Sequence, residues 1–224
     1  MRRALRAHGL ALAFTALLVL ALVGQAFAGH ADYNDQAGDA GLPLLTMAQY
    51  LSSSSFAADV AENWQSEYLQ FTLFILGTVW LLQRGSPESK ELDKAGMESE
   101  EEQRIGRHAT TRSPRWARFG GLRTAIYGNS LLIVMTALWL GSWFAQSVAG
   151  WSAYNADQLD HQAATVDWLG YLGTNDFWDR TLQNWQSEFL AVGSMAILSV
   201  YLRQRGSAES KPVGAPHDAT GVEG

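Results

Sequence analysis

Residues 9–28 read GLALAFTALLVLALVGQAFA, a run in which Thr15 and Gln25 are the only polar side chains. An α-helix rises about 1.5 Å per residue, so a run of this length reaches across the roughly 30 Å hydrocarbon core of a bilayer. The run therefore predicts a transmembrane helix.

Three further segments also predict membrane spans. Residues 126–149 are similarly apolar, whereas residues 63–82 and 184–202 have shorter apolar cores that follow a polar turn. A short core can cross if it recruits that turn or if the bilayer thins locally. We therefore expect an all-α membrane protein with four transmembrane helices and outer loops at 29–62 and 150–183.

The first segment also has the features of a cleavable secretory signal. Basic residues precede it, and it ends on Ala26-Phe27-Ala28 before Gly29, as a cleavage site would. A similar segment in the middle of the chain, where Ala149-Gly150 takes the place of that site, favours a retained span instead.

The chain contains an internal repeat. Residues 2–90 align without a gap to residues 123–211 at an offset of 121, with 30 identities. The longest matches are two polar strings, NWQSE at 63–67 and 184–188, and QRGSPESK at 83–90, which returns as QRGSAESK at 204–211. We infer a tandem duplication of one two-helix unit, here called repeat 1 and repeat 2.

Basic residues predict the orientation of the spans. Arg180 is the only one of the 16 Lys and Arg residues in the two predicted outer loops. The positive-inside rule then places both termini and the linker 84–122 in the cytoplasm. Because each repeat has two spans, the repeats are predicted to be parallel, related by a pseudo-two-fold axis along the membrane normal.

The cytoplasmic segments are polar. The linker is predicted to be a flexible tether, and residues 212–224 are predicted to be a disordered tail. Near the end of the linker, basic and aromatic residues alternate, which predicts a contact with anionic lipid. These residues are Arg115, Trp116, Arg118 and Phe119. The alternative is that this positive charge only sets the orientation.

Each outer loop is predicted to contain a short surface helix. Leu44, Met47 and Leu51 share one helical face in the first loop, and the second loop has a similar pattern. Ser55 and Asp176 are predicted to be the N-caps of the helices that re-enter the membrane.

Polar residues retained in both repeats form a predicted cluster near the outer ends of the spans: Gln25, Asn63, Glu67, Gln146, Asn184 and Glu188. Trp64 and Trp185 are predicted to lie at the membrane interface. The cluster has two interpretations. Its side chains could pair helices through hydrogen bonds, or Glu67 and Glu188 could form an ion or proton site.

The QRGS-x-ESK strings predict a cytoplasmic element that contains Arg84, Lys90, Arg205 and Lys211. Snorkelling and helix termination account for an Arg and a Gly at the end of a span. Retention of the whole string suggests a docking contact between the two copies.

Other function classes lack support in the sequence. There is no Cys, hence no thiolate metal site, and no predicted span contains a His for haem ligation. No phosphate loop, dinucleotide fingerprint or nucleophile elbow occurs. We predict no catalytic residue, metal or cofactor, no nucleic-acid partner for a chain of net charge -6, and the lipid bilayer as partner. A homo-oligomer is left open.

The retained strings resemble an uncharacterised family of bacterial inner-membrane proteins, a domain of unknown function. The resemblance covers both repeats, and NWQSE and QRGS-x-ESK are its most specific parts; Ala191, where repeat 1 has Gln70, departs from it. It implies a prokaryotic plasma membrane and no known activity. We expect a structural or accessory envelope protein. The alternative is a small transporter or channel that uses Glu67 and Glu188.

Overall fold

The computed structural model describes residues 7–222, and in this range the regular elements are helices, with no strand. In chain order they are α1 (Gly9–Asp39), α2 (Met47–Leu51), α3 (Ser54–Trp80), the 3₁₀ helix Gly106–His108, α4 (Arg115–Phe119), α5 (Gly121–Gly128), α6 (Ser130–Asp160), α7 (Trp168–Tyr171) and α8 (Asn175–Tyr201). The predicted all-α class is confirmed. The start of repeat 1, with Arg2, Arg3 and Arg6, lies outside the described residues.

Two helices, α1 and α6, are long and apolar enough to cross a membrane. Each has 31 residues, and only 6% and 11% of their most apolar windows are buried. Exposed large side chains such as Leu10, Phe14 and Leu20 cover α1. A soluble protein rarely leaves so continuous an apolar surface in water.

Both long helices differ from the predicted spans. They end at Asp39 and Asp160, so the first part of each predicted outer loop is helical. Helix α1 stops just before Gly41, whose positive φ of 71° does not suit a helix. The predicted start of the third span, at 126, falls in α5, which is separated from α6 by Asn129.

The described chain divides into two compact units. The first contains residues 7–60 and 145–171, and the second contains residues 61–144 and 172–222. The division cuts through α3 and α6, so each unit takes part of both helices.

In the first unit, an asparagine of each repeat closes the turn after a long helix. Asn34 Nδ2 donates to the Leu45 carbonyl at 2.9 Å, and Leu45 N–H donates back to Asn34 Oδ1 at 2.8 Å. Asn155 and Val166, at the equivalent positions of repeat 2, exchange the same two bonds at 2.9 Å. These bonds fix the chain ahead of the short helices α2 and α7, at the places where short outer helices were predicted.

A tyrosine on each short helix lies against a glycine of the preceding long helix. Tyr50 and Tyr171 are buried. A Cβ added at Gly29 or Gly150 would overlap the hydroxyl of the facing tyrosine. Each glycine is therefore required by this close approach, which explains why both repeats retain it.

The helix caps lie earlier than predicted. Thr174 caps α8, because its Oγ1 accepts from the backbone N–H three residues on at 3.2 Å. Ser53 makes the same contact at the start of α3, also at 3.2 Å. The predicted N-caps, Ser55 and Asp176, are wrong and lie in the first turns. A capping oxygen must reach a free N–H two or three residues further along.

Candidate functional site

The two NWQSE strings meet in the second unit, on α3 and α8. Trp185 Nε1 donates to Gln65 Oε1 at 2.8 Å. Ser66 Oγ donates to Glu188 Oε1 at 3.2 Å and to a carbonyl of its own helix. The bonds to Gln65 and Glu188 each join the retained string of repeat 1 to that of repeat 2.

An ion pair adds a third link between the same helices. Arg180 Nη1 lies 3.1 Å from Glu62 Oε2, and Arg180 Nε lies 3.5 Å from Asp176 on its own helix. Sequence reasoning missed this pair, since neither Glu62 nor Arg180 recurs in the other repeat. The sequence signal for this ion pair was that Arg180 is the only basic residue in the predicted outer loops. We call these three links the polar seam.

The polar seam is asymmetric although its two strings are identical. Gln65 and Ser66 are 0% and 1% exposed, whereas their counterparts Gln186 and Ser187 are exposed. The same two positions of the string are therefore buried in repeat 1 and exposed in repeat 2. The seam does not follow the two-fold pairing that the repeat predicted.

The predicted cluster residues are only partly brought together. Glu188 is in the seam, and Glu67 directly follows Ser66, the residue that binds Glu188. Asn184 Nδ2 donates to the Arg180 carbonyl of its own helix at 2.8 Å, and Asn63 is exposed.

The remaining predicted residues have separate surroundings. Gln25 and Gln146 belong to the first unit, and Gln146 is buried there. Trp64 is exposed, as an interfacial residue would be, whereas Trp185 is engaged in the seam.

An aromatic cluster joins α6 to α8 beside the seam. Trp143 stacks on Trp139 and Phe177, with ring centroids 5.9 and 6.2 Å apart. Its ring also packs against Trp178 and Trp185 at 6.3 and 5.7 Å. Repeat 1 has no matching aromatics at the tryptophan positions of α6, so the repeat gave no signal. The sequence signal for this cluster was the i, i+4 spacing of Trp139 and Trp143, which places both side chains on one helix face.

The QRGS-x-ESK strings form the same loop twice. Ser89 Oγ accepts from the backbone N–H of Gln83, and Ser210 Oγ from that of Gln204, both at 2.9 Å. The glycine of each string has a positive φ, 85° and 82°, a conformation that favours glycine. Internal loop geometry thus explains much of the retention.

The first loop also contacts the chain that follows the second. Gly85 N–H donates to Thr220 Oγ1 at 2.9 Å, and Gly221 N–H donates to the Ser86 carbonyl at 3.0 Å. Arg84 lies 3.6 Å from Asp218, and both Arg84 and Arg205 are exposed. The first string therefore contacts the segment 218–221, and docking between the two strings stays a prediction.

Both lysines of these strings are anchored. Lys211 is buried, and its ammonium donates to the carbonyls of Pro216, His217 and Ala219 at 3.2, 2.8 and 3.2 Å. Burial lowers the pKa of Lys211, and the nearby Arg203 lowers it further. Lys90 donates to the Gly96 carbonyl at 2.8 Å and pairs with Glu98. The acceptors of Lys211 belong to the segment predicted to be a disordered tail, and they supply the three hydrogen bonds that a buried ammonium requires.

The predicted lipid-contact segment forms the short helix α4. Its aromatic residues, Trp116 and Phe119, are exposed, and contact with anionic lipid stays a prediction. Within residues 7–222, no three His, Asp or Glu side chains cluster as a metal ion would require.

Comparison with known protein families gives a match over residues 1–222, to a domain of unknown function. The chain belongs to the DUF6766 family. Membership in an uncharacterised family is thereby confirmed, and DUF6766 assigns no activity. No curated protein and no solved structure matches this DUF6766 chain.

Proposed function

We propose that this DUF6766 chain is a four-span protein of the prokaryotic inner membrane, with both termini in the cytoplasm and two parallel repeats. The exposed apolar surfaces of α1 and α6 support two of the spans. Helices α3 and α8 have 27 residues each, about 40 Å, which is long enough to cross.

Its proposed role is structural or accessory: the polar seam holds the repeats together as one membrane scaffold. The observation that carries this proposal is that all three links of the seam run from α3 to α8. Hydrogen bonds between helices in lipid contribute about 0.6 to 1.7 kcal/mol each. Three links together suffice to select one helix partner over another.

A cleavable linker tests the scaffold role. A protease site inserted between Glu100 and Glu101 separates the repeats after the full chain has folded. We expect the fragments to co-elute in mild detergent, and to separate when Glu62, Gln65 and Ser66 are all changed to Ala. The matched control changes their exposed counterparts, Gln183, Gln186 and Ser187, to Ala and should co-elute. Both variants are made in a chain that ends at Ala219, because Thr220 and Gly221 otherwise still bind the first QRGS-x-ESK loop. Co-elution of the seam variant would contradict the proposal.

The second candidate is a small ion or proton transporter, favoured by the contact of Glu188 with Ser66, the residue directly before Glu67. Two neighbouring carboxylates near a membrane surface can share a cation or a proton. The double variant Glu67→Gln with Glu188→Gln keeps hydrogen-bonding capacity but removes both charges. Transport predicts that ion flux into proteoliposomes is lost in this variant, whereas the scaffold predicts co-elution and unchanged flux.

A further inference from the structure

A cavity lies between α3 and α8 on the side of the polar seam that leads toward the first QRGS-x-ESK loop. Its volume is about 400 Å³. The walls are mostly apolar and include Leu73, Phe74, Leu81, Phe189, Val192 and Ala196. All of its lining residues belong to the second unit.

One end of the cavity is polar. Gln83, Ser86, Glu88 and Ser89 of the loop line it there. The opposite end has a single polar side chain, Gln70. Apolar walls that lead to a more polar loop match an amphiphile, with its hydrocarbon along the walls and its headgroup at the loop.

The dimensions of the cavity select the occupant. One wall runs from Gln70 on α3 to Leu81, which directly follows this helix and whose N–H still donates to the Gly77 carbonyl. At the helical rise this length is about 16 Å, close to half of the roughly 30 Å hydrocarbon thickness. The volume divided by this length gives a mean cross-section of about 25 Å². A helix about 10 Å across needs roughly 80 Å², so the space between α3 and α8 fits one hydrocarbon chain and is too narrow to enclose a helix of a second copy.

We propose that this cavity binds one acyl chain of a phospholipid from the cytoplasmic leaflet, with its headgroup beside Ser86 and Glu88. The leaflet assignment rests on the proposed topology, which places the QRGS-x-ESK loops in the cytoplasm. A helix pair that spans a membrane is surrounded by hydrocarbon. An acyl chain in the cavity would make dispersion contacts with the wall residues, which an empty space cannot provide.

Gly193 provides the test, because it lines the cavity and a Cβ there would have no atom within 4 Å. Gly193→Leu therefore fills the space without a backbone clash. Gly141 on α6 is equally open and lies outside the cavity, so Gly141→Leu is the matched control. Gly193→Ala adds one methyl group and leaves most of the cavity.

The measurement is native mass spectrometry of the full chain, extracted in mild detergent from vesicles of phosphatidylethanolamine and phosphatidylglycerol. We expect one retained phospholipid on the unchanged chain, on Gly141→Leu and on Gly193→Ala. Gly193→Leu should retain at least fivefold less. Equal retention by Gly193→Leu, or no retained phospholipid on the unchanged chain, would overturn the proposal.

Extraction of the chain from membranes distinguishes a wrong lipid-site proposal from a wrong four-span proposal. If the chain needs detergent for release but retains no phospholipid, the four-span proposal stands and the lipid site is wrong. If alkaline carbonate releases the chain without detergent, both are wrong.

Discussion

Single residues explain why some positions are identical in both repeats. Asn34 and Asn155 each use one amide to satisfy both backbone groups of a residue 11 positions on. An aspartate could accept but not donate, and an alanine could do neither. The retained asparagines therefore have a structural explanation that needs no ligand.

Asn155→Ala tests that explanation. Loss of both amide bonds at a half-buried turn should lower the free energy of unfolding by about 1 to 3 kcal/mol, measured by thermal unfolding in detergent. Ser152→Ala, at an exposed position of the same helix, is the control and should have little effect. Equal effects of the two changes would contradict the role of Asn155.

Gly150→Ala should destabilise the chain by about 1 to 3 kcal/mol, as overpacking does, because the added methyl group meets the Tyr171 hydroxyl. Tyr171→Phe removes that hydroxyl and should recover part of the loss in a double-mutant cycle. Gly141→Ala is the control, since nothing lies near its Cβ. A cycle with no coupling energy between Gly150→Ala and Tyr171→Phe would show that the close approach is not the cause.

The two NWQSE strings are identical in sequence but have different surroundings on α3 and α8. Ser66 on α3 is buried and reaches Glu188, whereas Ser187 on α8 is exposed and bonds within its own helix. We expect Ser66→Ala to lower the free energy of unfolding by about 0.5 to 1.5 kcal/mol and Ser187→Ala to change it by much less. Thermal unfolding of both variants checks this, and a symmetric result would rule out the asymmetric seam.

At the element level, the sequence predicted what depends on periodicity and missed what depends on distant pairing. The short helices α2 and α7 follow from apolar spacing within a few residues. The Glu62–Arg180 pair joins residues 118 positions apart, and no local pattern encodes it. The caps were misplaced because several adjacent Ser, Thr and Asp residues can all cap a helix, and backbone geometry decides among them.

The whole molecule is an arrangement of helices whose membrane topology is directly testable. The natural absence of Cys allows single-cysteine labelling with an impermeant thiol reagent. Asp35→Cys and Asp157→Cys should react from outside intact cells, and Ser99→Cys should react only after lysis. All three positions are exposed in the structure, so a lack of reaction reports the membrane side and not burial. Labelling of Ser99→Cys in intact cells would reverse the proposed orientation.

The length of α1 has a consequence for what the cell surface presents. Thirty-one residues extend about 46 Å, some 15 Å more than the hydrocarbon core. In the proposed topology residues 29–39 of α1 pass through the outer headgroup region and end at the turn near Gly41. An antibody epitope inserted at that turn should therefore be accessible on spheroplasts.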